Sequence, residues 1–403
     1  MKLPVLLAAL AVALLAARSS AQQTPEQKKD TAIVSLDAKK SKTKHEPGYT
    51  IPVVDISGET QRQVIVDREK GQYLGHPTTL LLEDGRTILC VYPKGHGSGA
   101  IIYKRSADGG KTWSERLPTP KSWETSHEVP TLHRVVDAQG KKRIIMFSGL
   151  YPIRMAVSED DGATWGELKP IGNFGGIVAM GSVVTLKQPG HYMALFHDDG
   201  RYIIGNDFAA GKAKAWRFFV YQTRSVDGGL TWSATVPIAH LRTADLCEPG
   251  AVRSPDGNEI AVLLRENSRG YNSHVITTRD EGLTWSEPKE VHAALTGDRH
   301  TAKYAPDGRL VISFRDTTLV SATKGDWVAW VGKYEDITAV QQGQYRVRLM
   351  HNTKGGDCAY PGIELLPDGT FVTTTYGHWT EGEQPYVVSV RFTLAELDAR
   401  LKK

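Results

Sequence analysis

Ser106-Ala107-Asp108-Gly109-Gly110-Lys111-Thr112-Trp113 returns three times along the chain. The copies are Ser158-Glu-Asp160-Asp-Gly162-Ala-Thr164-Trp165, Ser225-Val-Asp227-Gly-Gly229-Leu-Thr231-Trp232 and Thr278-Arg-Asp280-Glu-Gly282-Leu-Thr284-Trp285. An Asp two residues ahead of a Gly suits a tight turn whose carboxylate caps backbone N–H groups, while the Trp packs the turn onto a sheet. One such octet is only a turn. Four of them, starting at 106, 158, 225 and 278, repeat at the interval of a structural unit of several strands.

Working outward, a second repeat runs through the whole chain: two short apolar strands joined by a tight turn. The turns fall at Asp84-Gly85, Gln139-Gly140, Pro189-Gly190, Asp256-Gly257, Asp307-Gly308 and Asp368-Gly369, which makes six units. Runs such as Thr87-Ile-Leu-Cys-Val91 and Leu310-Val-Ile-Ser-Phe314 are β-branched and too apolar for exposed hairpins. Arranged radially, sheets of this kind bury their faces on one another and leave only short edges. The expected fold is all-β, a six-bladed propeller of four-stranded antiparallel blades. The Asp turn follows each of the first four units and lies on the outer part of the blade. Unit five keeps a strand at Asp326–Lys333 without that motif. Blade six ends with Tyr386–Phe392 and is completed by an N-terminal strand such as Gln63–Asp67, which removes the last free edge. The tail 394–403 reads as a short amphipathic helix.

The first residues set the expected compartment. Met1-Lys2 is followed by a small and apolar run from Leu3 to Ala17, too short to span a bilayer, then by Arg18-Ser-Ser-Ala21. This is the pattern of a cleavable export signal over residues 1–21, which predicts a secreted or periplasmic protein. Residues 22–47 read as a polar flexible lead-in and 48–403 as the propeller. A net charge of +4 on 403 residues, with one basic cluster at Lys39–Lys44, does not indicate nucleic acid, and no other apolar stretch suggests a membrane span. Three cysteines, Cys90, Cys247 and Cys358, cannot build a disulfide framework and match no zinc spacing. They read as buried small apolar residues, with a Cys247–Cys358 bridge as the alternative. No metal or cofactor is expected; His197-Asp198-Asp199 reads as a solvated loop rather than a cation site.

Connectivity locates the functional rim, because a hairpin with a tight turn places everything before its first strand and after its second at the opposite end. Before the first strands lie Gly75-His76-Pro77, Ser126-His127-Glu128, Val178-Ala-Met180, Asp245-Leu-Cys-Glu248, Asp298-Arg299-His300 and Asp357-Cys-Ala-Tyr360. After the second strands lie Lys94-Gly-His96, Gly149-Leu-Tyr151, His197-Asp-Asp199, Arg265-Glu-Asn267, Arg315-Asp316 and Tyr376-Gly-His378-Trp379. Six of the thirteen histidines are here. Six loops converging on one axis would gather imidazole, guanidinium, phenol and carboxylate groups in one funnel.

The octets on six hairpins resemble the Asp-box, or BNR-repeat, sialidase superfamily over roughly residues 60 to 393. The resemblance implies an exo-sialidase-like glycosidase acting on terminal acidic sugars of an oligosaccharide or glycoconjugate. It places the nucleophilic tyrosine at Tyr360, the glutamate that takes its proton at Glu248, and arginines for a substrate carboxylate at Arg265 and Arg315. Two family positions differ. Where the first arginine is expected the chain has Gly75-His76, and the loop Tyr92–Gly99 has no aspartate acid, so His96 is the candidate proton donor. His76, His127, Glu128, Arg299, His300 and Asp357 complete the candidate substrate-binding set. The alternatives are another glycan-active enzyme, a hydrolase or lyase on uronic acid or rhamnose polymers with histidine at its centre, and a non-catalytic glycan-binding propeller.

Overall fold

A computed structural model describes residues 48–203 and 218–402. The expected export signal and lead-in, residues 1–47, lie outside the described residues. The rest is an all-β propeller of six blades. Each blade begins at the axis and runs outward as antiparallel strands. Blade two is His127–Val136, Lys142–Gly149, Arg154–Ser158 and Lys169–Pro170. Blade three is Ile177–Thr185, Tyr192–Asp198, Phe219–Ser225 and Val236–Ala239. Blade four is Leu246–Arg253, Ile260–Glu266, His274–Thr278 and Lys289–Glu290.

The other three blades show how the ring closes. Blade six has Gly362–Leu365, Phe371–Gly377 and Tyr386–Phe392, and its outer strand is Gln63–Asp67, with Val64 opposite Ser389 and Ile65 opposite Val388. Blade five, Gly297–Tyr304, Leu310–Asp316, Trp327–Gly332 and Tyr345–Met350, gains a fifth strand, Val53–Asp55, paired in parallel. That parallel strand carried no signal in the sequence, being only three residues long. Blade one, Thr78–Leu81, Ile88–Pro93 and Ile101–Ser106, has three regular strands. Its outer segment still bonds to the sheet, with Ser114 N–H on Arg105 O and Leu117 N–H on Tyr103 O, both at 2.8 Å.

Packing is between blade faces. Leu89 and Val91 of blade one meet Ile144 and Met146 of blade two around the buried Trp123, and Cys90 and Tyr92 meet Tyr376 and Val387 across the closure. All three cysteines are buried free thiols. The Asp turns form as expected: Asp108 Oδ1 accepts from the N–H of Lys111 and Thr112 at 3.0 and 2.9 Å, and Ser106 Oγ accepts from Gly110 N–H at 2.8 Å. Their tryptophans are less enclosed than full burial would require. Trp232 is 9 % exposed, whereas Trp113, Trp165 and Trp285 are half-buried. In blade five the short helix Tyr334–Thr338 stands where the Asp turn is missing. The C-terminal helix Leu394–Leu401 is capped by Thr393 and sets Leu394 and Leu397 on the core.

Candidate active site

Each of the six blades has one non-glycine residue in the left-handed backbone region at the head of its inner strand: His76, Glu128, Val178, Glu248, Arg299 and Ala359, with φ between 49° and 61°. Such a residue costs about 1–3 kcal/mol and persists only where the surroundings enforce it. In blades two to five the strand register slips at the same place, between His127 and Thr131, Ile177 and Ser182, Cys247 and Gly250, and Asp298 and Thr301. A bulge here breaks the two-residue alternation and re-aims side chains. Strain is therefore concentrated in a ring around one end of the axis.

Inside that ring is a pocket of about 260 Å³, near the lower end of the roughly 300–1,000 Å³ of small-ligand sites and suited to a single sugar ring. Tyr360, Glu248 and Arg265 form one wall. The Tyr360 hydroxyl donates to Glu248 Oε1 in a short contact, and Arg265 Nη1 donates to the same oxygen and to Tyr360 Oη at 3.1 Å. Burial, reinforced by the charge of Glu248, pushes the Tyr360 phenol well above its ordinary range. Glu248 Oε2 is buried without a hydrogen-bond partner, an acceptor left open beside the pocket.

Glu128, His76 and His96 also line the pocket. Burial holds His76 well below the usual imidazole range, with His96, Arg315 and Arg299 adding to the effect. His76 lies edge-on to the Tyr360 ring, with centroids 4.6 Å apart. The His96 side chain is 67 % exposed at the lip, its Nδ1 2.7 Å from the Tyr73 hydroxyl. Tyr73 in turn donates to Asp357 at 2.9 Å, and His378 Nε2 stands 3.2 Å from the same carboxylate. Asp357 thus anchors the lip and does not line the pocket.

Four further expected site residues are placed elsewhere. His127 is exposed and outside the pocket, because the bulge turns Glu128 inward in its stead. Arg315 lies beneath the floor, where its Nε and Nη2 hold Asp298 at 2.8 and 2.6 Å and its guanidinium carbon is 5.6 Å from the Tyr360 ring centre. Burial alone would raise Asp298, but Arg315, Arg265 and Arg269 keep it far below the carboxylate range. The arginine pair expected to fork a substrate carboxylate is therefore joined by an internal one. Arg299 and His300 line the axial channel below, where His300 Nε2 donates to Leu295 O at 2.8 Å and Arg299 Nη1 has no hydrogen-bond partner.

Sequence reasoning left out four residues that shape the site. His197, Asp199 and Arg201 line the pocket from blade three, with Arg201 Nε on Asp199 at 2.8 Å, and Tyr73 fastens the lip. The signal for the first two was present in His197-Asp198-Asp199, a rim segment by connectivity. There, Asp198 accepts backbone N–H bonds from Gly200 and Tyr202, as a loop-capping residue does.

The fold is that of a divergent BNR-repeat propeller. A profile described as "BNR repeat-like domain" matches residues 147–372, and the chain belongs to that family. No curated protein sequence matches it. Among solved structures, a protein of unknown function from Dyadobacter fermentans DSM 18053 aligns with TM-score 0.64 at 14 % identity, over 82 % of this chain and 97 % of that one. The NanB sialidase of Streptococcus pneumoniae aligns with TM-score 0.55 at 13 % identity, over 83 % and 70 %. The intramolecular trans-sialidase of Ruminococcus gnavus gives 0.52 at 14 %, over 81 % and 95 %. At these identities the likeness is one of fold. No helix among the described residues is long and apolar enough to cross a membrane.

Proposed function

We propose that this chain is an exported glycoside hydrolase that removes a terminal acidic sugar from a glycan, with Tyr360 as nucleophile and Glu248 as its base and without a cofactor. The observation that carries the reading is the hydrogen bond from a buried phenol to a buried carboxylate at the wall of a sugar-sized pocket. A phenol held above its normal range cannot attack as a free phenolate at neutral pH, so attack must be concerted with proton transfer to Glu248. Arg265, touching both, favours the charge that moves between them. An acidic substituent would meet Arg265 and Arg201, which line the pocket, whereas Arg315 lies beneath its floor.

The lip network favours a second reading, in which His96, oriented by Tyr73 and Asp357, leads a hydrolase or lyase reaction on uronic acid or rhamnose-containing polymers. Sugar release from a panel of acidic and neutral glycans separates the two. Tyr360→Phe is expected to lower kcat by about 10³-fold or more while His96→Ala retains activity; full activity in Tyr360→Phe with loss in His96→Ala establishes the histidine reading. Binding with no turnover of any glycan would make the propeller a glycan-binding module.

A further inference from the structure

Given that hydrolase reading, we infer that Glu128 is the group that protonates the departing glycosidic oxygen, in place of His96. Glu128 occupies the axial position of blade two and lines the same pocket as Tyr360 and Glu248. Its left-handed backbone, φ 61°, is what brings it inward while His127 faces out. The loop bearing His96 closes over it: a Cβ at Gly97 would stand 3.6 Å from Glu128 Oε2.

An acid at a sugar leaving group must hold its proton near neutrality and release it in the transition state. Among the described residues no cation lies within ion-pair distance of Glu128, unlike Asp298 with its arginines. The groups facing it are His76 and His96 from blade one, and His197, Asp199 and Arg201 from blade three. Blade four adds Glu248 and Arg265, blade five Arg299 and blade six Tyr360. Burial, and then the charge of Glu248, raises its carboxyl to about 7, against the weaker pull of Arg201. His96 is mostly exposed at the lip and tied through Nδ1 to Tyr73. It fits a role in holding the aglycone side of the substrate.

Atoms and protons balance over the two steps. Tyr360 Oη bonds the anomeric carbon as its proton passes to Glu248, the glycosidic C–O bond breaks, and the leaving oxygen takes the proton of Glu128. Water then attacks the anomeric carbon, giving a proton to the Glu128 carboxylate. The Tyr360 oxygen departs and recovers its proton from Glu248. Two displacements at one carbon retain its configuration.

Glu128→Gln and His96→Asn are to be compared on 3′-sialyllactose, whose leaving oxygen needs a proton, and on 4-methylumbelliferyl sialoside, whose leaving group needs little help. For Glu128→Gln the expected loss in kcat/KM is about 10²–10⁴-fold on the first and under about tenfold on the second, with the alkaline limb of the pH profile abolished. His96→Asn should weaken KM without that dependence on leaving group. An equal loss on both substrates for Glu128→Gln, or a leaving-group-dependent loss for His96→Asn, overturns the assignment. A second measurement needs no substrate: ¹³C NMR of side-chain-labelled glutamate should show Glu128 titrating near 7 and moving down in Glu248→Gln. An ordinary carboxylate midpoint overturns the inference. Failure of the wild type to turn over either sialoside, with the NMR midpoint near 7, removes the sialic acid reading and leaves the role of Glu128 standing.

Discussion

Glu128 keeps its proton at the expense of the folded state. Its carboxyl is raised in the fold to about 7 from an ordinary 4.5, so the unfolded chain ionises more readily and stability falls as pH rises from about 4.5 to about 7. Glu128→Gln removes that penalty. The variant should melt higher than the wild type at pH 8 and level with it at pH 4, as differential scanning calorimetry would show; an unchanged difference between the two pH values would contradict the raised carboxyl. At this scale the sequence was informative where chemistry is tied to a motif. Tyr360 and Glu248 could be placed because the strands they open could be placed, and they meet as expected. It was uninformative about which of two adjacent rim residues faces the axis. His127 and Glu128 differ by one position, and a left-handed φ and a register slip decide between them. No propensity marks that choice, since a glutamate there is disfavoured and held only by the assembled ring. Arg315 misled for a related reason: its position was legible, but its buried partner Asp298 faces it from the neighbouring strand of the same blade, in a register that the slip between Asp298 and Thr301 decides.

Among the elements, the Asp turns were the most legible, because every partner of the aspartate lies within four residues of it. In the turn of blade three, Asp227 Oδ1 accepts from the N–H of Leu230 and Thr231 at 3.1 and 3.0 Å, and Oδ2 accepts from the Thr231 hydroxyl at 2.6 Å. Asp227→Ala strips those donors of their cap and should cost about 1–2 kcal/mol. The tryptophans rank by enclosure, since truncating a more enclosed ring leaves a larger cavity behind it. Trp232, whose indole N–H also donates to Gly229 O at 3.1 Å, should cost about 3 kcal/mol as Ala, and Trp165, half-buried, distinctly less. Urea denaturation of the three variants gives the order; equal losses at 165 and 232 would show that enclosure is not what sets the cost. The helix Tyr334–Thr338 and the parallel strand Val53–Asp55 escaped the sequence because elements of five and three residues show no period.

For the molecule as a whole, stability depends on a seam in which residues 53–67 are laced across blades five and six. Deleting residues up to Arg68 should expose the edge of Tyr386–Phe392 and the apolar faces behind it. The product is expected to aggregate or to melt well below the full chain, and a separately supplied peptide of residues 50–68 should restore part of the loss. A truncated chain with unaltered melting would show that the ring closes without its seam. The seam also constrains the order of events at the ribosome. Gln63–Asp67 leaves the exit tunnel before any blade exists, and its partner Tyr386–Phe392 is made after the strands of every other blade. Blades one to four can form as each hairpin emerges, but the ring cannot lock until Tyr386–Phe392 has been made. Throughout that interval an early strand waits unpaired, a natural landing place for a holding chaperone.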